Sequence, residues 1–572
     1  MLMIRSLAIF VLFIVATPTF AASPRDELLR VAPPDAALLV VVQNAKGHVR
    51  SLIESPFVEW FPSTPIGKKL LAAVDLKQFR DVATNVLPAL GTTPQAVLDD
   101  VLGDAVAFAY SPAPEGKPGD ERSVILIRPA KPESLAKIFD KLNEIQKNNG
   151  EIKAIVRREH AGAEYFERQK PDGAGEFYCF RNGVFAFSSS DADIKAVIDR
   201  DKAEPKDKPP VLVARMQKLG VADAAVVVLV NPRPLDAEVK AKIASAKPDE
   251  QRLFKRFEQL WAGLEFAAVS VTLDKELELS LSLRFHPEKL PSDLKSWLIG
   301  PHEYSTAEYL IPEKALLGFA GHAKASELLD LLASLAPVPD GKPGVKEWVG
   351  KTFGSVVGQD KLPLVLESLG PNWAAWAESP MKEGFLPTIV AAVEVSGDGE
   401  KRASAEKTLL QAVEFGFQTA RVAYNTKHAD QIELMETKDA GVVIKSLVNE
   451  KAFPPGFRPS FSLTRGYLVL ATSPEAIKQF KPPAQGDPLL KGYTTLAKFS
   501  GTATRSYLQT HGDKLAKFLA EIGAGDEKSL RGHVEGVVAA LELVDAVDLI
   551  HRDIENGMKL SVRVKTTRPL KK

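Results

Sequence analysis

Residues 102–112 read LGDAVAFAYSP, and residues 369–380 read LGPNWAAWAESP. Each has a Leu-Gly opening, a run of small and aromatic apolar residues, and a Ser-Pro close. The second is one residue longer. Proline has no amide hydrogen to give to a ladder, so Ser-Pro ends a strand. The glycine begins a turn, and the run between reads as a largely buried strand.

The neighbours of these two stretches also recur. PDAALLVVV (34–42) opens a strand, with a helix pattern from about Gly47, and PEKALLGFA (312–320) does the same ahead of a helix over 324–336. Ala37-Leu38-Leu39 matches Ala315-Leu316-Leu317. RSVILIRP (122–129) corresponds to TIVAAVEVS (388–396), and Ser190, Ile194 and Lys195 correspond to Ser473, Ile477 and Lys478. Near the end of each set, Leu279-Ser280-Leu281 matches Leu560-Ser561-Val562. An ordered set of this kind predicts two diverged copies of one domain, over 23–290 and 305–572, joined by a linker at 291–304. Each copy should hold its own core. Two copies are too few for a solenoid, and the period is too long for a propeller blade.

Adjacent apolar runs with tight turns mark antiparallel hairpins. FYCFRNGVFAFSSS turns at Asn182-Gly183, and the terminal pairs turn at Asp274-Lys275 and Asn556-Gly557. KLSVRVK (559–565) alternates cleanly, so one face should be buried and the other wet. Helical patterns fall at 132–148, 191–199, 234–246, 249–262, 400–418 and 505–522, with Ser190 and Ser473 placed as N-caps. The fold class is therefore α+β, a mainly antiparallel sheet in each copy with helices covering one face.

The N-terminus carries one charge (Arg5), an apolar run from Leu7 to Ala16, and small residues ending in Ala21-Ala22. This is the layout of a secretory signal peptide over 1–22, cleaved at Ala21 and Ala22. The run is shorter than the roughly 20 residues of a membrane-spanning helix. The expected mature chain lies in the periplasm or outside the cell, with no integral membrane segment after cleavage. Its single Cys179 precludes an internal disulfide, so stability must come from a large core. Lys+Arg and Asp+Glu balance at 73 each, which gives no electrostatic case for nucleic acid.

Catalytic patterns are sparse. Ser134/Lys137, Ser404/Lys407 and Ser292/Lys295 each fit Ser-x-x-Lys, but three hits in a Lys-rich chain read as helix-start serines beside exposed lysines. Asp191-Ala-Asp193 resembles a metal-binding D-x-D, yet it also sits where carboxylates offset a helix dipole. None of the nine histidines pairs at ligand spacing, and no nucleotide loop or nucleophile elbow is present. No metal and no cofactor is expected. Phe57, Trp60 and Phe61 lie at helical spacing and are the candidate interaction aromatics; Trp373 and Trp376 read as core.

The signal peptide, the R-x-x-P-P-D-A-x-L-x-V-x-V opening (Arg30 to Val42) and the L-G-D-x-V-x-F strand resemble a group of uncharacterised exported bacterial proteins with a domain of unknown function. The resemblance implies export and a duplicated α+β layout, and brings no activity or catalytic residue with it. The reading is of an exported, non-catalytic binding or assembly module, acting on an envelope or extracellular protein or polymer. A secreted hydrolase with a site between the repeats, or a lipid or small-ligand carrier, are the alternatives.

Overall fold

The computed structural model describes residues 23–567, apart from 54–61, 63–67, 69–81, 115–116, 118, 204–207, 248–250, 275, 300–305, 336–342, 382–383 and 483–491. The chain combines helices with antiparallel sheet and divides into two compact units, Met1–Lys46 with Gln78–Arg215, and Gly47–Lys77 with Met216–Lys572.

In the first unit β1 (Leu38–Gln43), β2 (Ala105–Ser111), β3 (Arg122–Arg128), β4 (Ala154–His160), β5 (Ala163–Gln169), β6 (Gly175–Arg181) and β7 (Val184–Ser188) form an antiparallel sheet. Its order is β4-β5-β6-β7-β3-β2-β1. The second unit holds β8 (Val226–Val230), β9 (Leu264–Leu273), β10 (Leu277–Phe285), β11 (Leu317–His322), β12 (Leu369–Glu378), β13 (Thr388–Val395) and β14 (Glu433–Asp439). It continues with β15 (Val442–Val448), β16 (Ser460–Thr464), β17 (Tyr467–Ala471), β18 (Thr494–Ser500), β19 (Val544–Ile554) and β20 (Gly557–Thr566). Their order is β8-β9-β10-β20-β19-β18-β11-β12-β13-β17-β16-β15-β14, antiparallel at every step. Strands β8–β10, which precede the 291–304 segment, thus sit in the second unit. That segment itself contains the helix Ser292–Leu298, whose Leu294 is buried.

The two opening stretches become β2 and β12, and their glycines meet the same demand by different means. At Gly103 a Cβ would come within 2.9 Å of the Leu98 carbonyl oxygen. Gly370 has φ +108°, and its Cβ would come within 2.6 Å of the Ala323 oxygen. A side chain fits neither place. The β6–β7 loop is Asn182-Gly183, at φ 46° and 79°, as a type I′ turn requires. The last hairpin differs from expectation by one residue. Its loop is Glu555-Asn556, with the positive φ on Asn556, and Gly557 already pairs with Ile554.

Helices cover both faces of the sheet, not one. In the second unit Val390, Ala392 and Val469 pack with Ile311, Ile477 and Phe480. Their alternate neighbours Val393 and Leu468 pack with Val365 and Leu409, on the helices Leu362–Ser368 and Gly399–Asn425. Successive strand residues point to opposite faces, so these clusters lie on opposite sides. In the first unit the helix Pro132–Asn148 sends Leu135 and Phe139 against Tyr178 and Phe185. Ser473 caps its helix by accepting from the Glu475 amide, with Pro474 at the first position. Before the helix Asp191–Ala203 the hydrogen bonds run instead through Ser188, whose hydroxyl accepts from the Ser190 amide.

Candidate functional site

The signal segment with Ala21 and Ala22, and the aromatics Phe57, Trp60 and Phe61, lie outside the described residues. The other singled-out groups are placed. Asp191 accepts from the Tyr165 hydroxyl at 2.8 Å and pairs with Lys195 one turn on. Burial opposes its ionisation, but these two partners outweigh that and hold its carboxyl below the usual range. Asp193 accepts from Ser188 and lies 3.8 Å from Arg122. The D-x-D is thus a pair of engaged helix-start carboxylates. Among the described residues no three His, Cys, Asp or Glu gather as metal ligands. Cys179 is buried, and burial pushes its thiol up to about 12, far from the thiolate a nucleophile needs. Trp376 is in the core, stacked on Phe480, and Trp373 packs against Gly321.

Chemistry gathers where β10 pairs with β20. The Ser280 and Ser561 hydroxyls meet at 2.9 Å, and each bonds Glu278 Oε1 at 3.0 Å. Lys559 Nζ lies 3.2 Å from the same oxygen and donates to the Gly220 carbonyl. Arg563 reaches Glu278 Oε2 at 3.4 Å. Burial raises the cost of ionising Glu278, yet the Lys559 ammonium and the two hydroxyls prevail and hold it at about 2. The network satisfies itself. It leaves no nucleophile beside a free base and reads as structural.

The other face of these strands is the more telling one. Ser280, Ser282, Lys559 and Ser561 are 2%, 0%, 7% and 5% exposed, whereas Leu279, Leu281 and Val562 are 49%, 40% and 39% exposed. The alternation expected from KLSVRVK is present, but the buried side is the Ser/Lys side. The leucines and valines face water. Ladder pairing extends this surface. One straight row runs Val271, Leu279, Val562, Leu549, Ala497, Phe319, Ala375, Ala391 and Leu470 across nine strands. The next row contains Leu277, Val564, Val547, Phe499, Leu317, Ala377 and Ile389. Neither row has a hydrogen-bonding side chain, and Leu279, Val562, Phe319, Leu470, Leu317 and Ile389 are their members most open to solvent.

Sequence reasoning missed this face because which side of a strand is covered depends on distant partners. The signal was there in LELSLSLRF (277–285), whose strict Leu/Ser alternation gives two faces of opposite character. A second concavity of about 610 Å³, lined by both apolar and charged side chains, lies between the helix Gly399–Asn425 and β14–β16. Lys445 occupies it, 2.8 Å from Glu414 and 3.8 Å from Glu436. Glu406, in the same lining, pairs with Arg402. No family model, curated protein or solved structure matches the chain.

Proposed function

We propose that this is an exported, non-catalytic binding protein, kin to the uncharacterised exported bacterial proteins it resembles, and that it engages its target through the apolar face of β9–β13 and β17–β20. The observation that carries the reading is the inverted polarity of β10 and β20. A sheet that buries serine and lysine while exposing leucine and valine is arranged for contact on its apolar side. The polar clusters described above are engaged among themselves, which favours binding over catalysis.

The duplicated architecture is part of the same reading. Within the second unit β14-β15-β16-β17-β13-β12-β11 repeats the first unit's order with each number raised by ten. The β10–β20 ladder opposes Ser280 with Ser561, the residues that the sequence repeat equates, so the pairing is palindromic about them. The ladders favour a one-residue change in the repeat alignment. With the two stretches aligned from their Leu-Gly ends, Leu38 opposite Tyr110 matches Leu317 opposite Ala377, in keeping with the burial of both Leu39 and Gly318.

A polarity-sensitive dye added to the native full chain tests the face. Fluorescence should rise on binding and fall at least fivefold in Leu281→Asp, with the circular dichroism spectrum unchanged. Equal dye binding in the variant would remove the face from consideration. Export is read separately, from the N-terminal peptide of the protein recovered from the envelope or medium, expected to begin after Ala21 or Ala22.

A further inference from the structure

We propose that the cleft between the helix Gly399–Asn425 and β14–β16 binds a small aromatic carboxylic acid, with its ring on the apolar floor and its carboxylate on Lys407. The cleft lies on the strands beyond β17 in the ladder and does not depend on the binding-face reading above.

The first support is a comparison within the chain. Each unit has a two-residue hairpin loop with positive φ at both positions, Asn182-Gly183 between β6 and β7 and Arg465-Gly466 between β16 and β17. Counting back from these loops equates Tyr178 with Phe461. The next strand then equates Phe166 with Lys445, since Phe166 pairs with Tyr178 and Lys445 with Phe461. On the helices, the Ser-x-x-Lys patterns at Ser134 and Ser404 align Phe139 with Leu409.

Rings fill this place in the first unit. Phe166 stacks on Tyr178 with centroids 5.0 Å apart, and Phe139 meets the same ring edge-on at 4.7 Å. In the second unit two of those three rings are replaced. Lys445 sends its ammonium to Glu414 at 2.8 Å, and a cleft of about 610 Å³ is left between helix and sheet. Pockets for small ligands span roughly 300–1,000 Å³. The first unit thus shows the shape that suits the place, a planar ring between a helix and the sheet. A rigid ring also loses less conformational freedom on binding than a flexible chain of the same size.

The second support is the distribution of charge. The floor is apolar, with Val443 39% exposed and Leu410 and Leu463 beside it. Most of the charged lining is engaged. Glu406 pairs with Arg402, and Glu414 and Glu436 both lie against Lys445. Lys407 is the charged lining residue that has no ion pair among the described residues, and Gln411 follows it one helical turn later. An ammonium and an amide one turn apart can donate to the two oxygens of one carboxylate. A ligand cation would have to compete with Lys445 or Arg402 for a carboxylate, whereas an anion finds Lys407 unengaged.

The test uses the native full chain and para-fluorophenylacetate, followed by fluorine NMR. The signal should shift saturably, and phenylacetate should displace the probe. Phenethylamine, which reverses the charge, and hexanoate, which lacks the ring, should each displace it about tenfold less well. Lys407→Gln should weaken binding about tenfold, while Lys407→Arg should stay within about threefold. Lys445→Phe, which writes the first unit's residue into the cleft, should abolish the shift. Lys407 is exposed, so its variants should melt with the native chain, and they decide the matter if Lys445→Phe does not fold. Absence of a saturable shift, equal displacement by phenethylamine or hexanoate, native affinity in Lys407→Gln, or binding that persists in a folded Lys445→Phe would overturn the proposal.

Discussion

The strands β7-β3-β2-β1 of the first unit and β17-β13-β12-β11 of the second share one order and solve one packing problem in opposite ways. In the first, Leu39 lies opposite Ala109, both buried. In the second, Gly318 lies opposite Trp376, again both buried. A Cβ on Gly318 would come within 2.6 Å of Ile311. One pair puts its bulk on β1 and the other on β12, with Trp376 also stacked on Phe480. The comparison teaches that the ladder order fixes how much volume a site must hold, and leaves open which strand supplies it.

Exchanging the solutions gives the largest effects. Trp376→Ala should destabilise by about 3–5 kcal/mol in urea titration, from lost burial and the cavity left behind. Gly318→Leu alone should cost about 2–3 kcal/mol by overpacking against Ile311. Combined, they recreate the first unit's arrangement and should cost less than the sum by about 1–2 kcal/mol. Strict additivity would break the equivalence of the two sites.

A smaller effect separates the two faces of β10 and β20. Lys559→Met leaves Glu278 only Arg563 and the two hydroxyls and should cost about 2–3 kcal/mol, whereas Val562→Thr on the exposed face should stay within roughly 0.5 kcal/mol. Acid sharpens this. Glu278 is held at about 2 in the fold against an ordinary value of 4.5, so its contribution is full above pH 4.5 and is lost as the pH falls toward 2. The melting temperature of the native chain should drop across that window, and Lys559→Met should flatten the drop.

The smallest effect compares β6 with β16. Cys179 pairs with Ala186 as Ser462 pairs with Val469, and the Ser462 hydroxyl donates to the Val443 carbonyl. Cys179→Ser should therefore cost only about 1 kcal/mol if the new hydroxyl finds a similar acceptor. In the native chain the thiol should react with a maleimide far more slowly than in urea, and equal rates would contradict its burial.

Local features were legible in the sequence. The Asn182-Gly183 turn, the Ser473-Pro474 cap and the helix at 132–148 depend on neighbours a few residues away, and they stand where expected. The α+β class followed from them. The polarity of the β10–β20 region was hidden. Ser280 meets Ser561 from 281 positions away, and only that pairing decides that the serine side is the inside. A one-residue change of register reverses the faces of a strand, which is why Leu39 and Leu317 look equivalent as letters while one is buried and the other is not.

One end strand of each unit bears on how such a molecule stays dispersed. β4 ends the first unit's order and β14 the second's. β4 presents Arg157, Arg158 and Glu159, and β14 presents Glu433, Glu436, Lys438 and Asp439, nearly all at the surface. A strand arriving from another molecule would have to desolvate or oppose these charges before making its first backbone bonds. At these two ends the charges oppose the edge-to-edge pairing from which fibres grow.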